Sequence, residues 1–249
     1  MKKLTIENWK ELQPYIALAD YREYNSNAMT LLMWSNRYEA YFETYENFAL
    51  VYTKMPHHEP VWLMPYCALS YRKEALEMLA KRSEQLHIAF EVHSMTKEFK
   101  NWLTKEYPQA FLIWDCYNAR DYVYDRMQQQ TLSGKKMQKR RNHFHAFEKL
   151  YEGRYYYKPL TREDIPHVMA FLKRWKATKK EEEYETIDAE IIGIELLFQY
   201  WEQLPVEGGC IYIDNQLEAF SITSRLAADM VQIHVEKANH EISGLYIAV

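Results

Sequence analysis

The sequence predicts a mixed α/β fold with mainly antiparallel strands, on three observations. Aromatic residues make up 15% of the chain, including 21 tyrosines. Many lie in short runs such as Tyr38 to Tyr45 and Tyr155 to Tyr157, which suit half-buried sheet faces better than an all-helical bundle. Segments with helical apolar spacing alternate with these runs. The order of helices followed by antiparallel strands also recurs on either side of residue 150. Two related α/β units are therefore expected, residues 1–150 and 151–249, from element order alone, because no repeat is visible in the sequence.

In the first half, helices are expected over Ile6 to Leu18 and Ala28 to Trp34, then strands within Glu39 to Lys54. The turn-rich run Met55-Pro56-His57-His58-Glu59-Pro60 separates these from a strand at Val61 to Met64. Tyr71 to Leu86 reads as a helix with Ala75, Leu76, Leu79 and Leu86 on its apolar face. Short strands at Ile88 to Val92, Phe111 to Trp114 and Tyr122 to Tyr124 are expected, with a helix over Lys97 to Tyr107. A basic helix, Lys135 to Tyr151, closes this half. The second half predicts a strand at Arg154 to Pro159, helices over Glu163 to Trp175 and Ile187 to Leu204, and strands at Gly209 to Ile213, Leu217 to Thr223 and Met230 to Glu236. Asp214-Asn215 supplies a hairpin turn between the first two of those strands. The charge cluster Lys179 to Glu185 reads as a solvated loop or helix start. After a further turn, Leu245 to Val249 starts like another element, so the second unit is expected to be incomplete.

With 249 residues, 48% of them hydrophobic, the chain can bury a sizeable core. No apolar run reaches the ~20 residues that span a bilayer. Lys2-Lys3 leads into Glu7, Asn8 and Lys10 rather than a signal-peptide core, so a cytoplasmic location is expected. Cys67, Cys116 and Cys210 are odd in number and far apart, which points to ordinary thiols rather than disulfides or zinc ligands. Adjacent His57 and His58 diverge on helix or strand and read as a surface loop, so no metal site is expected. Net charge is −4, so binding to nucleic acid or phosphate must come from a local patch.

The basic helix supplies that patch. Lys135, Lys136, Lys139, Arg140 and Arg141, joined by His143 and His145, precede the first acid at Glu148. Cations near a helix start oppose its dipole by ~0.3–1 kcal/mol each, a cost that an anionic ligand would relieve. At about 100° per residue, Met137, Phe144, Phe147 and Tyr151 share a stripe that also contains Arg140. Arg140 is expected to be partly buried, and then either its head reaches solvent or it needs a carboxylate or phosphate. Glu190, at the edge of the stripe Ile187, Ile191, Ile194, Phe198 and Trp201, is the expected partner. In Met230 to Glu236, Val231, Ile233 and Val235 alternate with Gln232, His234 and Glu236. The apolar set should be core, and the polar set should be either a row of proton-transfer groups facing a cleft or an ordinary solvated row. The loop Ala238 to Tyr246, with Gly244, leads into a helix start, a common anion cradle.

Asp121-Tyr122-Val123-Tyr124, Leu132-Ser133-Gly134-Lys135-Lys136 with Lys139-Arg140-Arg141-Asn142-His143, and His234-Val235-Glu236-Lys237-Ala238-Asn239 with Gly244 and Tyr246 together resemble the bacterial family related to the carboxy-terminal domain of phosphatidylglycerol lysyltransferase. The resemblance implies two tandem GNAT-like units akin to the Fem aminoacyltransferases, with a continuation of some tens of residues beyond Val249. It implies acyl transfer from a phosphate-bearing donor, either aminoacyl-tRNA or acyl-coenzyme A, with no further cofactor required. GNAT enzymes that use acetyl-coenzyme A carry a glycine-rich loop where only Gly244 stands here, which weakens the second donor. The acceptor, whether small molecule, peptide or lipid, stays open. By this resemblance Lys135, Lys136, Lys139 and Arg141 would contact donor phosphates, helped by Arg140, Asn142, His143, Lys237 and Gly244. Glu236 or His234 would take the proton of the attacking group. A non-catalytic module binding RNA or a phosphate ligand is the rival reading.

Overall fold

The computed structural model describes residues 1–249 and contains two compact units. One comprises Met1–Asp121 with Leu226–Asp229, the other Tyr122–Arg225 with Met230–Val249. The divide expected near residue 150 thus falls after Asp121, and the basic helix belongs to the second unit. The reason is packing: Phe147 of that helix shares a buried cluster with Ile211, Ile213, Ala219, Ala238 and Leu245, all from later in the chain.

In the first unit, β1 (Lys2–Lys3), β2 (Glu39–Thr44), β3 (Phe48–Lys54), β4 (Val61–Leu63), β5 (Tyr66–Cys67) and β6 (Val92–His93) form one sheet, accompanied by α1 (Trp9–Ala19), α2 (Ala28–Met33), α3 (Arg72–Leu86) and α4 (Lys97–Glu106). The strand order is β1-β2-β3-β4-β6, with β5 also on β3; β4 and β6 are parallel and the other pairs antiparallel. Ala75 and Leu79 of α3 pack on Phe48, Leu50 and Trp62, as the spacing predicts. Two expected strands are absent: Phe111 to Trp114 and Tyr122 to Tyr124 are irregular. Leu112, Trp114, Tyr122 and Tyr124 are exposed, and an aromatic run with no ladder partner leaves its backbone to water rather than forming a strand. The strand expected at Ile88 to Val92 shrinks to Val92–His93, because His87 ends α3 in the left-handed conformation (φ 55°) and irregular chain follows.

The second unit begins with a helix absent from the sequence expectation, α5 (Arg126–Thr131), capped by the Asp125 side chain on Gln128 N. Then come α6 (Gln138–Leu150), β7 (Tyr155–Pro159), α7 (Ile165–Ala177), α8 (Tyr184–Gln199), β8 (Val206–Ile213), β9 (Gln216–Ala227), β10 (Met230–Ala238) and α9 (Leu245–Ala248). The sheet order is β10-β9-β8-β7. Asp214 and Asn215 both take positive φ, 49° and 64°, the signature of the tight hairpin turn expected there. Helices cover both faces. Phe147 of α6 and Leu245 of α9 pack on Ile211, Ile213 and Ala219, whereas Phe171 of α7 meets Phe220 edge-on from the other side. Asp164 braces the start of α7: it accepts from Tyr212 Oη at 2.8 Å and Lys158 Nζ at 2.9 Å. Burial favours its protonation, but these bonds and those from Thr161 outweigh that and hold the carboxyl down at about 2. No helix of the chain is long and apolar enough to cross a membrane.

Candidate functional site

The site grows from the start of α6. Gly134, at φ 85°, turns the chain into one tight turn, Lys135–Met137, that continues as α6. Met137 and Phe147 are buried, and Arg140 is half-buried among them as the stripe predicts. On the other side Lys135, Lys136, Gln138, Lys139, Asn142 and His143 line an open pocket of about 570 Å³. All six are exposed, and the three lysines make no ion pair within the chain. Three ammonium groups near a helix start, with amide and imidazole groups between them, give this surface a positive charge and hydrogen-bond donors of the kind an anion would need.

The two arginines turn the other way. Arg140 Nη1 donates to Gln129 Oε1 of α5 at 2.9 Å, and Arg141 Nη1 donates to the Leu132 carbonyl just past the end of α5. Leu132 ends α5 in the left-handed conformation, φ 48°, so Arg141 satisfies backbone oxygen at a helix end. The outward phosphate contact expected of Arg141 is therefore corrected to a brace between α5 and α6.

The expected Arg140–Glu190 pair is not formed. Glu190 Oε1 instead takes Lys237 Nζ at 2.8 Å, with both side chains about 15% exposed. Lys237 also lies 4.7 Å from the centre of the Trp175 ring, and Lys179 lies 4.4 Å from that centre. The physical reason is strand alternation: consecutive residues of β10 point to opposite sheet faces. Lys237 meets α8, whereas Glu236 lies within reach of the Arg140 charge. Burial raises the Glu236 carboxyl, and Arg140 and Lys237 oppose that rise without cancelling it. Lys237, expected to contact donor, is thus engaged in an internal pair.

The burial expected along β10 is also reversed. Gln232 and His234 are buried, 7% exposed each, whereas Val231 and Ile233 are 62% and 48% exposed. Val235 is buried as expected, so the inversion covers residues 231–234. His234 Nε2 lies 2.7 Å from Ser224 Oγ, and burial pushes its imidazole down to about 4. It is neutral near pH 7, which suits a base, but it is enclosed rather than displayed on an open row. Glu236, half-buried, is the less enclosed of the two. Gly244 is corrected as well. A Cβ there would sit 2.5 Å from the His143 carbonyl oxygen and 2.9 Å from Phe147 Cβ, at φ 87°. Its open side is filled by α6, so it serves close packing of α9 rather than a phosphate cradle.

Gln129, Ser224 and Trp175 take part without having been expected. Ser224 had a sequence signal, since it falls in step with buried Phe220 and Ile222 along β9. Gln129 and Trp175 had none, because their partners come from other elements.

A model of the family described as phosphatidylglycerol lysyltransferase, C-terminal, matches residues 17–249. Among solved structures, a conserved protein of unknown function from Bacteroides thetaiotaomicron superposes with a TM-score of 0.91 at 22% identity, over 99% of this chain and 82% of its own. L-PGS from Bacillus licheniformis gives 0.57 at 12% identity, over 96% of this chain and 70% of that one. The C-terminal domain of a putative lysylphosphatidylglycerol synthetase from Agrobacterium fabrum gives 0.54 at 8%, over 98% and 73%. At these identities the likeness concerns the fold. A search of curated proteins found no match.

Proposed function

Since the chain belongs to the phosphatidylglycerol lysyltransferase C-terminal family, we propose that it is an aminoacyltransferase whose donor is an aminoacyl-tRNA held through its phosphates on α6. The observation that carries this reading is the open pocket lined by Lys135, Lys136 and Lys139, cations without internal partners. Arg140 on the same helix is close enough for its charge to act on the half-buried Glu236 of β10, which makes Glu236 the candidate base nearest that helix's charge. In the reaction the acceptor's amine or hydroxyl attacks the ester carbonyl carbon. A new bond to that carbon forms, and the ester bond to the ribose oxygen breaks. Glu236, as carboxylate, takes the proton of the attacking group, and the departing ribose oxygen regains a proton. Packing at Gly244 leaves no glycine-rich loop for a coenzyme pyrophosphate, which favours the nucleic-acid donor over acyl-coenzyme A.

The test offers the purified chain charged tRNA and acyl-coenzyme A in separate assays with amine and hydroxyl acceptors. Transfer from charged tRNA is expected, with Glu236→Gln slowing turnover by about 10²–10⁴-fold while donor binding persists. Because the Glu236 carboxyl is raised, activity should decline on the acid side as it protonates, above the pH at which an ordinary carboxylate would do so. Binding of charged tRNA without turnover, and without any effect of Glu236→Gln on binding, would instead identify a non-catalytic RNA-binding module. Failure to bind either donor ends the proposal.

A further inference from the structure

Just before α5, the motif residues Tyr122, Val123 and Tyr124 lie in irregular chain at exposures of 87%, 69% and 58%. Large apolar side chains this exposed, with no strand to join, ask for an occupant. The two tyrosine rings are near parallel, 11° apart, with centroids separated by 6.5 Å. The two rings are stacked and together present an exposed aromatic surface.

Their surroundings carry the matching charge. Arg126, at the start of α5, is exposed and makes no ion pair, and the lysine pocket lies beyond the same short helix. A helix of six residues is ~9 Å long. Its far end is fastened to α6 by Arg140 on Gln129 and by Arg141 on Leu132, so the tyrosines and lysines stand on one braced segment of the second unit. Flat rings that accept any base, beside cations that follow a phosphate backbone, are the parts of a site for single-stranded nucleic acid.

We infer that Tyr122 and Tyr124 form a base-stacking platform that holds the single-stranded end of a nucleic acid whose phosphates occupy the Lys135, Lys136 and Lys139 pocket. The inference rests on the donor reading given above and names the part of the donor that the second unit grips. A bilayer surface also attracts tyrosine beside basic residues, but parallel rings favour flat heterocycles over lipid chains.

The experiment measures binding of a fluorescent single-stranded RNA of about twelve nucleotides to the full chain, with vesicles containing phosphatidylglycerol as a second arm. Tyr122→Ala with Tyr124→Ala should weaken RNA binding at least about tenfold without altering the salt slope. The double Phe variant should bind within about twofold of the parent, because stacking needs the ring and not the hydroxyl. Both positions are exposed, so folding should survive, and circular dichroism checks it. Unchanged RNA binding in the Ala variant, with binding lost in a Lys135→Glu, Lys139→Glu variant, overturns the platform and leaves the donor patch standing. Unchanged binding in both variants overturns the donor reading too. Loss of vesicle binding alone overturns the inference in favour of a membrane.

Discussion

The second unit holds two sets of lysines that differ in surroundings rather than in chemistry. Lys135, Lys136 and Lys139 stand in an open pocket without acids, whereas Lys237 is enclosed between Glu190 and the Trp175 ring. An exposed ammonium keeps its water and can exchange it for a ligand oxygen at little cost. An enclosed one has already exchanged its water for a carboxylate and an aromatic face, and is fixed. The difference shows which cations are available for binding: solvation matters here, and motif membership does not decide it, since Arg141 belongs to the same motif as the pocket lysines and yet is turned inward.

The largest effect should come from breaking the enclosed set. Lys237→Met strands the Glu190 carboxylate in a site that is about 15% exposed and should cost roughly 3–5 kcal/mol, read as a lowered urea midpoint. Adding Glu190→Gln should restore much of that loss, because the cost lies in an uncompensated charge. If the single variant is as stable as the parent, Lys237 is more solvated than its geometry indicates, and the contrast with the pocket collapses.

The contrast also marks how far the sequence could be read. Periodicity placed α1, α3, α4, α6 and most strands, because each buries one face and the face follows from local spacing. The basic cluster and the inward lean of Arg140 were legible for the same reason. Partners were not. Glu190 and Lys237 are 47 residues apart, and nothing local says that Lys237 rather than Arg140 faces α8. The inverted burial at Val231 to His234 was illegible on different grounds. Alternation gives two faces but does not say which is covered, and a hydrophobic Val and Ile face is only the usual choice. Gly244 looks like a loop residue in the sequence, whereas its role is close approach to α6, which requires knowing the partner helix.

A middle-sized effect belongs to His234, the enclosed base. Burial lowers its imidazole from an ordinary 6.5 to about 4, so between those values the unfolded chain binds a proton that the folded chain refuses. The corresponding stability is fully present above about pH 6.5 and is lost as pH falls toward 4, by at most roughly 3 kcal/mol. The Glu23 carboxyl, raised by burial to about 7, adds stability as pH falls through the same window, so the measure is the difference. The parent's urea midpoint should fall relative to that of His234→Gln as pH goes from 6.5 to 4. Asp164 acts lower. Its carboxyl is depressed from 3.8 to about 2, so its share persists above pH 4 and is lost only in stronger acid. Equal pH dependence of the parent and His234→Gln between pH 6.5 and 4 would show that His234 can take up a proton in place, and it would return as a candidate base.

The smallest effect on stability, and the sharpest on binding, should come from the open set. Lys139→Gln removes one exposed cation that makes no internal pair, so the urea midpoint should move by no more than about 0.5 kcal/mol. If that lysine contacts a phosphate of a single strand, its loss removes one released counterion. The slope of log affinity against log salt should then become shallower by about 0.7. Lys135→Gln should do the same, and the two changes should add, since each acts through its own phosphate. Lys237→Gln serves as the contrast: it should lower stability while leaving the salt slope alone, because a lysine already paired with Glu190 releases no counterion from the nucleic acid. An equal slope change from Lys237 and Lys139 would mean that the internal pair opens to ligand, and the division of the lysines into available and fixed sets would have to be redrawn around a pair that exchanges its carboxylate for phosphate.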